Sequence, residues 1–257
     1  MNASSKTSSR SLWVAMFLLS TYAAACHAEA SNGAPTVRST YPDDTVTPLP
    51  INHKITATFS EAMDASTING YSFTVSAPGE AAVIGVVSLD RASRTAIFKP
   101  SSHFGSNTLY TATVTTVAKN TSGVALASEH AWTFTSAAAI DTDAPTVSST
   151  TPASSVRDFA RNGSISAEFN EVLDPVTVNT TSFTLTDGTT PIAGAVIYGG
   201  STVTFKPTDN LAANTVYTAT LKTAVTDLAV PANDWQTTIS GPLPQAPPLL
   251  LDPPQWT

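Results

Sequence analysis

A single cysteine, Cys26, stands among 257 residues. No intramolecular disulfide can form, so any fold must be held by packing alone. Charge is scarce and leans acidic: 12% of residues are charged, and 12 Lys+Arg face 19 Asp+Glu for a formal net charge of −7. No run of Lys or Arg occurs, which argues against a nucleic-acid partner, because phosphate binding needs a basic surface. The histidines, His27, His53, His103 and His130, are isolated from one another. H-E-x-x-H, cysteine–histidine clusters, a P-loop, G-x-G-x-x-G and a G-x-S-x-G elbow are all missing. Sustained helical periodicity is missing beyond the N-terminus, as is any long apolar-poor stretch away from the ends, so wholesale disorder is not expected.

What the chain has is repetition. ITATFSEAMD at Ile55–Asp64 returns as ISAEFNEVLD at Ile165–Asp174, about 110 residues later. Around it, APTV at Ala34–Val37 returns at Ala144–Val147, and SFTV at Ser72–Val75 returns as SFTL at Ser182–Leu185. IFKP ending at Pro100 returns as TFKP ending at Pro207, and LYTATV at Leu109–Val114 as VYTATL at Val216–Leu221. The order never changes, so one module has been duplicated, and each copy is long enough to bury its own core.

Within each copy, apolar residues alternate with Thr and Ser. Ile55, Ala57 and Phe59 are expected to point inward and Thr56 and Thr58 outward, with Ile165, Ala167 and Phe169 matching. Phe73 and Val75, Ala96 and Phe98, and Tyr110, Ala112 and Val114 continue the alternation, each with a counterpart in the second copy. Lys-Pro closes the Ala96–Phe98 run and its counterpart, and Trp132 and Phe134 supply a last strand in the first copy. Short alternating strands separated by Pro, Gly, Asn and Asp predict an all-β sandwich. Ser60 and Asn170 are expected as N-caps, with Asp174-Pro175 as a cap plus first-turn proline. A turn or two of helix should follow each long strand, tucking in Met63 and Leu173. Tyr110 and Tyr217 stand where the tyrosine corner of immunoglobulin-type sandwiches would be.

This ordered set of motifs resembles the bacterial Ig-like domain of the S-layer protein type. The resemblance implies an extracellular β-sandwich used as a spacer or display module in surface proteins and lipoproteins. The expected fold is all-β: two tandem immunoglobulin-like β-sandwich domains after an N-terminal signal peptide. The boundaries are residues 1–25 signal peptide, 26–33 tether, 34–136 first domain, 137–143 linker, 144–240 second domain with a degraded last strand, and 241–257 a Pro-rich disordered tail.

Arg10 followed by the apolar Leu12–Ala25 and small residues is the pattern of a secretory signal. Ala23-Ala24-Ala25-Cys26 resembles a bacterial lipobox, with Ala23 where leucine is usual. That implies lipid attachment at Cys26 and membrane anchoring, and ordinary cleavage after Ala25 or Ala30 is the alternative. Asp141 and Asp143 in the linker resemble calcium-binding linkers of tandem extracellular sandwiches, with Glu171 and Asp174 as further ligands. The competing reading is a solvated acidic turn, and two linker carboxylates fall short of the six to eight oxygens calcium takes. No other cofactor is expected. In the second copy Trp235 is expected to answer Trp132, with Thr237-Thr238-Ile239 as a poor, weak last strand.

What repeats is core, not a catalytic set, so no enzyme is expected. The expected function is a non-enzymatic spacer or display protein at the bacterial cell envelope, exported and lipid-anchored. The alternatives are a module for adhesion or binding of glycan, protein or ice, or a fragment of a larger surface protein. A protein or glycan partner is left unnamed by the sequence.

Overall fold

In the computed structural model, residues 33–43, 48–153, 159–235 and 239–244 are described. Module one contributes β1 (Val37–Tyr41), β2 (Ile55–Phe59), β3 (Phe73–Ser76), β4 (Gly85–Asp90), β5 (Thr95–Pro100), β6 (Leu109–Val114) and β7 (His130–Thr135). Module two contributes β8 (Val147–Thr151), β9 (Ile165–Phe169), β10 (Phe183–Asp187), β11 (Thr190–Pro191), β12 (Gly194–Gly199), β13 (Thr202–Pro207), β14 (Val216–Leu221) and β15 (Ile239–Pro244). Sheet order is β1-β2-β5-β4 against β3-β6-β7 in the first module, and β8-β9-β13-β12 against β11-β10-β14-β15 in the second. All strand pairs within these sheets are antiparallel. A four-stranded sheet facing a three-stranded one in this chain order is the constant-type immunoglobulin arrangement.

Each sandwich has its own core. Ile55, Ala57, Phe59, Phe73, Val75, Phe98 and Phe134 are buried together in module one, and Ile165, Phe169, Phe183, Leu185, Val203 and Phe205 in module two. The alternation read from the sequence therefore selects the buried face. Both tyrosine corners are present: Tyr110 Oη accepts from Gly105 N at 2.8 Å and Tyr217 Oη from Ala212 N at 2.8 Å. Asn107 and Asn214 adopt left-handed φ of 51° and 53° just before these strands, a conformation asparagine tolerates better than most residues.

Three expectations are corrected. Ser60 and Asn170 do not cap a helix. Their side chains accept from Thr36 N and Thr146 N, clamping the segment before the first strand of each module to the end of the second. The capping falls to Asp64 and Asp174, which accept from Ser66 N and Val176 N at the heads of single 3-10 turns, Ala65–Thr67 and Pro175–Thr177. Met63 and Leu173 are buried as anticipated.

The second correction concerns Trp235. It lies before the last strand, and its backbone N–H donates to Val225 O, as the backbone N–H of Leu126 donates to Ala118 O in module one. Trp235 thus answers Leu126, and its ring packs edge-on to Phe169 at 5.5 Å. Thirdly, the final strand begins at Ile239 and runs to Pro244, beyond the boundary at 240, pairing with β14 along its whole length. Residues 1–32, including the signal segment and Cys26, and the tail from 245 lie outside the described residues.

Candidate functional site

The feature the repeat does not explain is the joint between the modules. It is built from the loop entering β2, the linker after β7, the turn after β9 and the loop after β14. Leu49 N donates to Thr135 O, and Ala137 N donates to Leu49 O, so the linker starts out pinned to module one. Asn52, buried, receives Asp141 N on its Oδ1 at 2.8 Å and donates Nδ2 to Asp141 O at 2.9 Å. His53 Nε2 lies 2.8 Å from Asp141 Oδ2, and its Nδ1 lies 3.0 Å from Tyr41 Oη. With the proton on Nε2, the phenol donates to Nδ1 and the ring donates to the carboxylate.

Direct bonds then cross to module two. Lys54 N donates to Leu228 O at 2.9 Å, and His53 forms an isolated antiparallel bridge with Ala229. Lys54 Nζ donates to Asp174 Oδ2 at 2.6 Å, both side chains being 12% exposed. Leu228 and Ala229 are fully buried yet belong to neither hydrophobic core, so the joint itself covers them. The outer faces of the two modules differ accordingly. Thr56 and Thr95 are buried where their counterparts Ser166 and Thr202 are half-buried, because the module-one face looks across a cleft of about 620 Å³ at Glu171, Leu173 and Tyr198. The Tyr198 hydroxyl closes that side by bonding both the N–H and the carbonyl of Leu173.

Of the four acids expected to gather around calcium, two meet. Asp141 and Glu171 place carboxylate oxygens within 4.8 Å of each other and of a third acid, Asp227, which is fully buried. Asp174 is held by Lys54 instead, and Asp143 donates its N–H to Asp141 Oδ1 in a local turn. Asp227 accepts from Ala229 N, Asn233 N and Asn233 Nδ2, three hydrogen bonds that offset part of the cost of burying its carboxylate. Burial raises the Glu171 carboxyl to about 7, with the Asp141 and Asp227 charges adding to it. Burial also pushes the Tyr41 and Tyr198 phenols up, in Tyr41 with help from Glu171 and Asp141.

His53, Lys54, Asn52, Tyr41 and Asp227 escaped the sequence reading, yet a signal for three of them existed. The repeat aligns His53 and Lys54 with Gly163 and Ser164, and Asn120 with Asp227. The structure supports that alignment, since Met63 bridges Asn120 as Leu173 bridges Asp227. Positions that depart from an otherwise repeated pattern are where one copy does something the other does not.

Residues 31–136 and 141–240 each match the family model of the bacterial Ig-like domain. No curated protein matches the chain. Among solved structures it is similar to the N-terminal part of the bacterial S-layer protein SbsC, at 13% identity over 82% of this chain and 44% of that one, with a TM-score of 0.33. Domains 1–6 of surface layer protein SbsC give 13% identity, coverage of 80% and 34%, and a TM-score of 0.35. Native alpha-2-macroglobulin from Escherichia coli, spanning domains MG0-NIE-MG1, gives 13% identity, coverage of 80% and 72%, and a TM-score of 0.33. The chain thus spans less than half of the SbsC structures it matches. With both modules matched over nearly all their residues, the chain belongs to the bacterial Ig-like domain family, as two domains in tandem.

Proposed function

We propose that the chain is a non-enzymatic extracytoplasmic spacer: two sandwiches locked end to end, holding or displaying something away from a bacterial cell surface. The observation that carries this reading is the joint. A flexible linker would leave Lys54, His53 and Leu228 in water, whereas here backbone and side-chain bonds cross between the modules and bury the groups that make them. Such bonds convert two beads into one stiff rod, which is what a spacer requires. Family membership supports the cell-exterior setting, and the N-terminal pattern supports export with anchoring through Cys26. The test is fractionation and surface protease treatment of intact cells. The wild-type chain should be membrane-associated and accessible from outside, and Cys26→Ala should release it. Equal retention of Cys26→Ala in the membrane would refute the anchor, and a cytoplasmic chain would refute the whole reading.

A ligand-binding role is the second reading, favoured by the intermodular cleft, whose volume falls within the range of small-molecule sites, roughly 300–1,000 Å³. Glycan-array screening of the intact chain and of a Thr58→Arg variant checks it. Binding that the arginine abolishes would support the cleft.

A further inference from the structure

The cleft between the modules has a floor of hydroxyls, and most of its buried polar groups already have partners. Thr58 and Thr95 bond each other at 2.9 Å. Tyr41 Oη is held by His53, and Tyr198 Oη by the backbone of Leu173. Thr56 is different. It lines the same cleft, is 7% exposed, and its hydroxyl has no partner among the described residues. Strands β1 and β5 flank it on either side and the core of module one lies beneath, so its remaining exposure opens into the cleft. A hydroxyl buried without a partner is costly, and a ligand that bonds it offsets that cost.

Thr56 stands opposite Tyr41 in the register of β1 and β2, and Glu171 is the charged group that acts most strongly on the Tyr41 phenol. Thr56 and Glu171 therefore border one end of the cleft. Glu171 shares this corner with Asp141 and Asp227, but those two have committed their oxygens. Asp141 meets His53 through Oδ2 and accepts from Asp143 N on Oδ1. Asp227 accepts from Ala229 N and Asn233 N on Oδ1 and from Asn233 Nδ2 on Oδ2. Glu171 has one hydrogen bond, from the Asn170 side chain. In module one the equivalent acid, Glu61, is met by Asn120 Nδ2 at 3.0 Å, where module two has Asp227. Among the described residues no Lys or Arg lines the cleft, and its charged residues are Asp43 and Glu171. The corner lacks a cation and offers one carboxylate with acceptor capacity to spare. That is too few oxygens for calcium, but it suits a monocation that brings its own N–H donors.

We propose that this end of the cleft is a binding site for a primary alkylammonium group, with the Glu171 carboxylate taking the charge and Thr56 Oγ1 accepting one of its N–H bonds. Val172, Pro175 and the Tyr198 ring line the same cleft and give the alkyl stem an apolar wall. The inference rests on the ligand-binding reading of the cleft and names the chemistry of what enters it. A free diamine or the side chain of a lysine would present the same group.

Isothermal titration calorimetry of the intact chain with cadaverine tests it, at about pH 8, above the range in which Glu171 ionises. Cadaverine should saturate one site, and pentanediol, of equal length and uncharged, should bind about tenfold more weakly or worse. Glu171→Gln should weaken cadaverine about 10- to 100-fold and Thr56→Val about 2- to 10-fold. Both variants keep the size of the side chain, and circular dichroism checks that they fold. N-acetyl-lysine amide presents the group as a peptide would; the tighter of the two amines names the source, and either supports the class. Equal binding of diamine and diol, or cadaverine binding that neither variant weakens, would overturn the ammonium site. The cleft reading would survive if Thr58→Arg still abolished that binding. Failure of both amines to bind would also overturn the inference, and the glycan array then decides the cleft reading independently. Calcium that binds and expels cadaverine would make the corner a metal site and overturn the inference as well.

Discussion

Gly85 and Gly194 begin equivalent strands, and each lies against the aromatic ring of the neighbouring one. A Cβ on Gly85 would come within 2.5 Å of Phe98 and on Gly194 within 2.5 Å of Phe205. Gly85→Ala or Gly194→Ala forces a core phenylalanine to shift. Each should cost about 1–3 kcal/mol in urea unfolding. The tyrosine corners offer a second test. Tyr110→Phe removes the acceptor for Gly105 N at a partly buried site and should cost about 1–2 kcal/mol, with Tyr217→Phe behaving alike toward Ala212 N. An unchanged transition midpoint in either series would show that the duplicated contact contributes little.

At the scale of elements, the alternating strands were legible because one face of each is buried, and burial writes a period of two into the sequence. The end of module two was not legible. Trp235 looks like a strand residue only when matched by type to Trp132. By hydrogen-bond position it is the counterpart of Leu126, and the strand starts four residues later. Trp235→Ala should therefore behave as a core deletion, costing about 3–5 kcal/mol in module two. A small effect would return it to the surface of an edge strand. The joint was half legible. Asp141 and Glu171 stood out as acids near a domain boundary, but a hydrogen-bonded histidine or lysine on a loop carries no periodic signal. Only the mismatch with Gly163 and Ser164 marks His53 and Lys54. Removing Lys54 leaves Asp174 largely buried beside its own 3-10 turn. Lys54→Met should loosen the joint by about 2 kcal/mol, and pairing it with Asp174→Asn should recover much of that loss. A double-mutant cycle reads the coupling, and zero coupling would mean the pair is incidental.

At the scale of the whole molecule, two sandwiches of similar core size could tumble independently or as one body, and the spacer reading depends on which. Backbone amide relaxation by NMR on the intact chain at about pH 5, below the range in which Glu171 ionises in the joint, decides it directly. The bonds from Lys54 to Leu228 and Asp174, together with His53 and Asn52 on Asp141, predict a single rotational diffusion tensor for both modules. Lys54 N–H should also exchange slowly with solvent. Two separate correlation times, each that of a lone module, with rapid exchange at Lys54, would contradict the account.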